Sequence, residues 1–264
     1  MLPVSGAYDP RMTDISVTLV GGPTALIEYA GLRWLTDPTF SDPGTYEGLT
    51  KTTAPALTTA EVGAIDVVLL SHDQHSDNLD PAGRAFLPSA GQVLTTVAGA
   101  ERLGGNARGL EPWQQIVVNS PETGDIRVTA VPALHGPPGS EGITGPVIGF
   151  LLQSDRAQTL YVAGDNASVG VVADIADRLD PIDVAILFVG AVQLPHRFDG
   201  AYLTLSGDRA AHATEILGAH SVIPVHNEGW THFTQGIDQT RAAFAGWGLS
   251  ERLVVAERGQ TVSV

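Results

Sequence analysis

The sequence predicts an α/β protein in which two layers of strands face each other with helices between the strands. Apolar runs without polar alternation at residues 67–70, 159–163 and 221–225 have the composition of strands buried on both faces. They recur in both halves of the chain, separated by stretches such as Val169, Val172, Ala173, Ala176 and Leu179, whose apolar residues fall at helical spacing. A further regularity is that each run ends on a residue able to bind metal.

In chain order, residues 1–13 read as an irregular lead-in. Residues 15–19, 25–29 and 32–35 form a meander of three strands divided by Gly-Pro and Gly turns. Residues 41–55, rich in Gly, Pro and Thr and without periodicity, read as a loop placed to overhang a site. Asp80 followed by Pro81 starts a helix that continues to Leu87. Residues 92–96 are a strand and 97–103 a short helix ended by Gly104 and Gly105. Residues 116–118 and 126–131 are strands flanking a turn at 121–124. Residues 136–142, too rich in Gly and Pro for regular structure, are either a substrate loop or a plain connection. In the second half, 147–152, 159–162, 184–189 and 222–225 are strands. Helices span 168–179, 207–217 behind a Ser206 cap, and 236–246, where Ile237, Phe244 and Trp247 share a face. Residues 252–256 and 259–262 would close the sheets as strands. No linker composition interrupts the 264 residues, and one domain is expected.

The ends of the buried runs hold the chemistry. Residues 67–70 lead into Ser71, His72, Asp73, Gln74, His75, Ser76, Asp77 and Asn78; 126–131 lead to His135; 159–163 to Gly164 and Asp165; 221–225 to His226. A covered sheet brings its strand ends to one edge, so such residues can converge. Any one of them alone is more often a cap or a turn former. Together, imidazoles and carboxylates make the ligand set of zinc and related divalent ions. Asp37, before Pro38 at the end of a strand, is read as support for the site.

This order of residues resembles the metallo-β-lactamase-fold hydrolases: an H-x-H-x-D-H-like cluster after a buried strand, then a His, a Gly-Asp and a late His. Residues 20–29 and 35–38 are similar to the opening hairpin of the branch that includes L-ascorbate-6-phosphate lactonase-like proteins. The resemblance implies an αββα sandwich with one or two metals at the sheet edge. It also implies a first ion on His72, His75 and His135, with Asp165 bridging to a second served by Asp77 and His226. Two residues, Asp73 and Gln74, separate the first two His where the family has one, so the loop must bulge. Asn78 stands where the family has a closing His, and its amide oxygen is a weaker ligand than imidazole. If the second position stays empty for that reason, Asp77 becomes a free carboxylate suited to general base catalysis.

Composition narrows the function. Net charge is −15, from 29 acidic against 14 basic residues, with no basic cluster for a phosphate backbone. A small-molecule substrate is therefore expected, and nucleic acid is not. The chain has no Cys, which excludes disulfides and thiolate chemistry, and no Gly-x-Ser-x-Gly elbow. A divalent ion, zinc first with manganese or iron as alternatives, would instead activate water. Asp77 would orient that water, and His232, six residues past His226 on an aromatic loop, either protonates the leaving group or packs. The substrate is then a small ester, lactone or phosphodiester. A non-catalytic member of the fold and a nucleic-acid-processing member are the alternatives. His196 could line the pocket, whereas His212 and His220 read as structural or solvated. The N-terminus lacks a signal-peptide pattern and no apolar run reaches about 18 residues, so a cytoplasmic protein without a membrane partner is expected. Oligomeric state is left open.

Overall fold

The structure, a computed structural model, describes residues 14–194 and 197–264. The lead-in at 1–13 and His196 lie outside the described residues. Strands β1 (Ser16–Gly21), β2 (Thr24–Tyr29) and β3 (Leu32–Thr36) form the expected meander. The loop expected at 41–55 instead contains a hairpin of β4 (Gly44–Tyr46) and β5 (Leu49–Lys51). Its two-residue turn works because Glu47 and Gly48 both take positive φ, 48° and 87°, the geometry that suits the twist of paired strands. Helix α1 (Thr59–Val62), not expected, is closed by a capping box between Thr58 and Glu61. Then follow β6 (Val67–Leu69), α2 (Pro81–Phe86) capped by Asp80, β7 (Gln92–Thr96), α3 (Val97–Leu103) and β8 (Ala107–Leu110).

The second half contains β9 (Gln115–Ser120), β10 (Gly124–Ala133), the short α4 (Glu141–Thr144), β11 (Val147–Ser154), β12 (Ala157–Val162) and α5 (Val169–Ala176). It ends with β13 (Val184–Phe188), α6 (Gly207–Leu217), β14 (Ser221–Val225), α7 (Ile237–Gly246) and β15 (Thr261–Ser263). Helix α5 stops short of Leu179: Arg178 and Leu179 bond back to Ile175 and Ala176 in a tighter turn, because Asp180 precedes Pro181 and cannot stay helical at low cost. The strand expected at 252–256 does not form. Ser250–Arg252 is a helical turn, and only a bridge between Leu253 and Val222 follows.

Besides the β4–β5 hairpin, two large sheets result, in the orders β15-β1-β2-β3-β6-β7-β8 and β14-β13-β12-β11-β10-β9. Alternation within each buried strand explains how they stack. Val67 and Leu69 face the core shared by both sheets, while Val68 and Leu70 face the cluster that holds Val62 and Phe86 from α1 and α2. On the other sheet, Ile186 and Phe188 face the shared core, and Ala185 and Leu187 face Val172, Ala210 and Phe244 from α5, α6 and α7. The layers are therefore helix, sheet, sheet, helix. Among the described residues no helix is long and apolar enough to cross a membrane.

Candidate metal centre

Most of the candidate ligands are set by the strand before them. Leu70 N donates to Leu94 O, ending the ladder of β6, and the Asp37 carboxylate accepts from Ser71 N at 2.7 Å. Ser71 Oγ then lies 3.0 Å from His72 Nδ1, which leaves His72 Nε2 to face the site. After His75 the chain turns sharply, since Asn78 N and Leu79 N both donate to His75 O. His135, just past β10, donates from Nδ1 to Leu203 O at 2.7 Å. A neutral ring fixed in that way presents an Nε2 lone pair. His226 follows β14 with a positive φ of 58°, its backbone N held by Gly22 O at 2.7 Å.

All six expected ligands come together. His75 Nδ1 is 2.8 Å from His72 Nε2 and 3.2 Å from His135 Nε2, and Asp165 Oδ2 is 3.6 Å from His135 Nε2. These four residues form one cluster, and Asp77, Asp165 and His226 form another that shares Asp165. In the second, His226 Nε2 is 3.3 Å from Asp77 Oδ2 and 3.7 Å from Asp165 Oδ1. His226 Nε2 and Asp165 Oδ2 are buried, yet neither makes a hydrogen bond. Buried polar atoms are rarely left so. Donor atoms of the right type, spaced as ligands around shared points and otherwise unsatisfied, fit divalent ions in both clusters.

The electrostatics agree at the first cluster, whereas at His226 burial is outweighed by Asp165 and Asp77, which raise the imidazole above its usual range, so an ion there would take the place of a proton. Burial holds the His72 and His135 imidazoles below the usual histidine range; the neighbouring rings reinforce this, and Asp165 opposes it at His135. Both are therefore neutral, as ligands must be. Burial alone would push Asp77 up, but the imidazoles of His226 and His232 outweigh it and hold the carboxyl well below its ordinary value. Asp37 is pushed well up by burial, and its Oδ2 has no partner. It supports the site through Ser71 and does not join either cluster.

Two expectations are refined. Asn78 is fully buried and turns its Nδ2 toward Asp165 Oδ1 at 3.3 Å, so its amide braces the shared carboxylate. His232 donates from Nε2 to Asp77 Oδ2 at 2.8 Å but belongs to neither ligand cluster. His212 stacks on Trp247 and His220 pairs with Asp183, both away from the centre.

A cavity of about 230 Å³ opens onto His75, Asp77, His135 and His232. Its walls include Leu49, Val192, Leu194 and Leu203, with Glu47 and Arg197 as further charged lining residues. None of these six was legible as a site residue. Leu49 and Glu47 belong to the hairpin, so residues 41–55 do overhang the site, tied down where Ser76 Oγ donates to Glu47 Oε2 at 2.7 Å. Gly136, Pro137 and Pro138 of the expected substrate loop face a different cavity, of about 290 Å³.

A beta-lactamase superfamily domain matches residues 33–227, a span that contains every ligand of both clusters. The chain belongs to the beta-lactamase superfamily. Among curated relatives, it is 25% identical over 166 residues to a UPF0173 metal-dependent hydrolase of Pyrococcus abyssi, covering 63% of this chain and 68% of that protein. It is 22% identical over 260 residues to the UPF0173 protein YddR of Bacillus subtilis, covering 94% of this chain and 99% of that protein. Among solved structures, an isothiocyanate hydrolase from Delia radicum gut bacteria aligns with a TM-score of 0.79 at 17% identity, over 94% of this chain and 98% of that one. CmlA, a diiron β-hydroxylase from Streptomyces venezuelae, aligns with a TM-score of 0.68 at 16% identity, over 96% of this chain and 54% of that one. The last two show a shared fold.

Proposed function

We propose that this chain, a metal-dependent hydrolase of the beta-lactamase superfamily, cleaves a small and weakly charged ester or lactone. The observation that carries the reading is the convergence of His72 Nε2 and His135 Nε2 to within 3.2 Å of His75 Nδ1, beside a cavity with apolar walls that His75 and His135 line. His72, His75, His135 and Asp165 would hold one divalent ion, and Asp77, Asp165 and His226 a second. A bound divalent ion supplies a Lewis acid and brings the pKa of water from about 15.7 to near 7.

The remaining chemistry belongs to the protein. With the second position empty, Asp77, kept ionised by two imidazoles, is the free carboxylate that orients the attacking water and accepts its proton. His232 holds Asp77 through Nε2–H; as the imidazolium it would also carry a proton on Nδ1, which has no protein partner, and would give that proton to the leaving group, with solvent restoring it and taking the proton from Asp77. The walls formed by Leu49, Val192, Leu194 and Leu203 exclude water and receive the apolar part of the substrate. A phosphodiester is disfavoured because, among the described residues, Arg197 is the only Arg or Lys lining the cavity and Glu47 opposes it. Lactone turnover would place the chain with the L-ascorbate-6-phosphate lactonase-like branch. Zinc is the first metal to load, with manganese and iron next; the diiron neighbour supports including iron.

The test is a panel of neutral lactones, esters and a small isothiocyanate against metal-loaded protein, with Asp77→Ala alongside. Turnover lost far beyond any loss of metal marks Asp77 as the base. Equal losses make it only a ligand, and no turnover across the panel refutes the substrate class.

A further inference from the structure

The loop between His72 and His75 is one residue longer than in the resembling family, yet it delivers the two ring nitrogens to within 2.8 Å of each other. The side chains of the two intervening residues show how the extra length is held. Asp73, with a side chain 2% exposed, accepts a two-pronged grip from Arg102 of α3: Nε to Oδ2 at 2.9 Å and Nη2 to Oδ1 at 2.5 Å. Arg84 Nη2, from just inside the end of α2, donates to Asp73 O at 3.0 Å. Helix α3 comes this close because its first turn carries Gly99, where a Cβ would lie 3.2 Å from Asp73 Oδ1 and 2.9 Å from Thr96 Oγ1. Gln74 goes the other way and lies against Gly145, where any Cβ would collide with its Oε1.

We propose that Asp73, gripped by Arg102 and Arg84, is a positioning residue for the metal ion. The clamp fixes the lengthened loop so that His75 presents Nδ1 beside His72 Nε2. Three features separate this from a surface ion pair. The carboxylate is buried, it sits between two ligands, and its backbone as well as its side chain is held. A fork of two parallel N–H groups also fixes direction, which a point charge does not. Neither arginine lines the substrate cavity; both face a separate one of about 490 Å³ with Leu87, Pro88 and Asn106. They act on the ligands through the loop.

The inference rests on the metal-centre reading above, so its test reads metal directly. Arg102→Ala and Asp73→Asn are compared with the parent for affinity toward zinc, by competition with a chromophoric chelator, and for the d–d spectrum of the cobalt-loaded protein. Each should weaken the tighter ion about tenfold, the scale typical of lost outer-shell support, and shift the cobalt bands. The double variant should lose no more than either single one, because both break one contact. Arg102→Lys keeps the charge but not the fork, and it should recover little. Parent-like affinity and spectrum with only a lower melting temperature would overturn the clamp, as would full recovery by Arg102→Lys. If Arg102→Ala does not fold, Asp73→Asn, which keeps the shape, decides the matter. A parent that takes up no metal would bring down the centre and the clamp together; a parent that binds metal while the variants match it would bring down the clamp alone.

Discussion

Replacing His232 with Ala should lower kcat by roughly 10- to 150-fold while leaving metal content at the parent level. The magnitude follows from one contact. His232 Nε2 meets Asp77 Oδ2 at 2.8 Å with the two side chains 11% and 5% exposed. A hydrogen bond to a charged group in such a setting contributes about 1.5 to 3 kcal/mol, and each 1.36 kcal/mol is about tenfold in rate. His232→Gln separates orientation from proton transfer, since an amide can still donate to Asp77 but cannot carry a proton. It should regain the part of kcat that depends on orienting Asp77 and none of the part that depends on proton transfer. The assay is steady-state hydrolysis of a neutral ester, paired with elemental analysis of the same samples. A kcat within about twofold of the parent would refute the reasoning. Metal lost in proportion to activity would refute it differently, by making His232 a ligand.

Two further outcomes follow from packing. Asp80 accepts from Phe40 N, Ser41 N, Gly83 N and Lys51 Nζ at 2.8 to 3.0 Å. Asp80→Ala leaves the buried Lys51 without its counter-charge and should cost about 3 to 5 kcal/mol, roughly 10 °C in melting temperature. Asp80→Ala with Lys51→Met should recover part of it, and calorimetry showing no recovery would contradict the charge argument. Gly190→Ala should cost about 1 to 3 kcal/mol and release metal from the second cluster, because the new Cβ would collide with the His226 carbonyl oxygen. Unchanged metal content and melting temperature would mean that this edge of the sheet yields.

The fold and the ligands were legible for the same reason. A strand buried on both faces shows as an unbroken apolar run, and the polar residues just after it sit at the sheet edge, so His72, His135, Asp165 and His226 are located by their neighbours. Asp73 was visible as a residue but not as a clamped one, since Arg102 lies 29 residues away and no local pattern joins an exposed helical Arg to a loop carboxylate. Hairpin β4–β5 was hidden by its turn, where Glu47 takes a positive φ usually left to Gly or Asn. With it went Glu47 and Leu49 as cavity residues. Leu194 and Leu203 line the cavity from irregular backbone, for which periodicity says nothing. At residues 252–256, where the apolar content suggests a strand, a helical turn and a single bridge to Val222 replace a ladder, and only Ala256 is buried.

The candidate ligands span residues 72 to 226 and come from both sheets. No subset that is close in sequence completes either cluster, so tight capture of an ion must wait until the two halves of the chain have docked. Such long-range closure is slow to form during folding, and ion binding then adds its free energy to the finished state alone. Metal uptake would thus favour the correctly assembled molecule over any in which the two sheets have not yet docked.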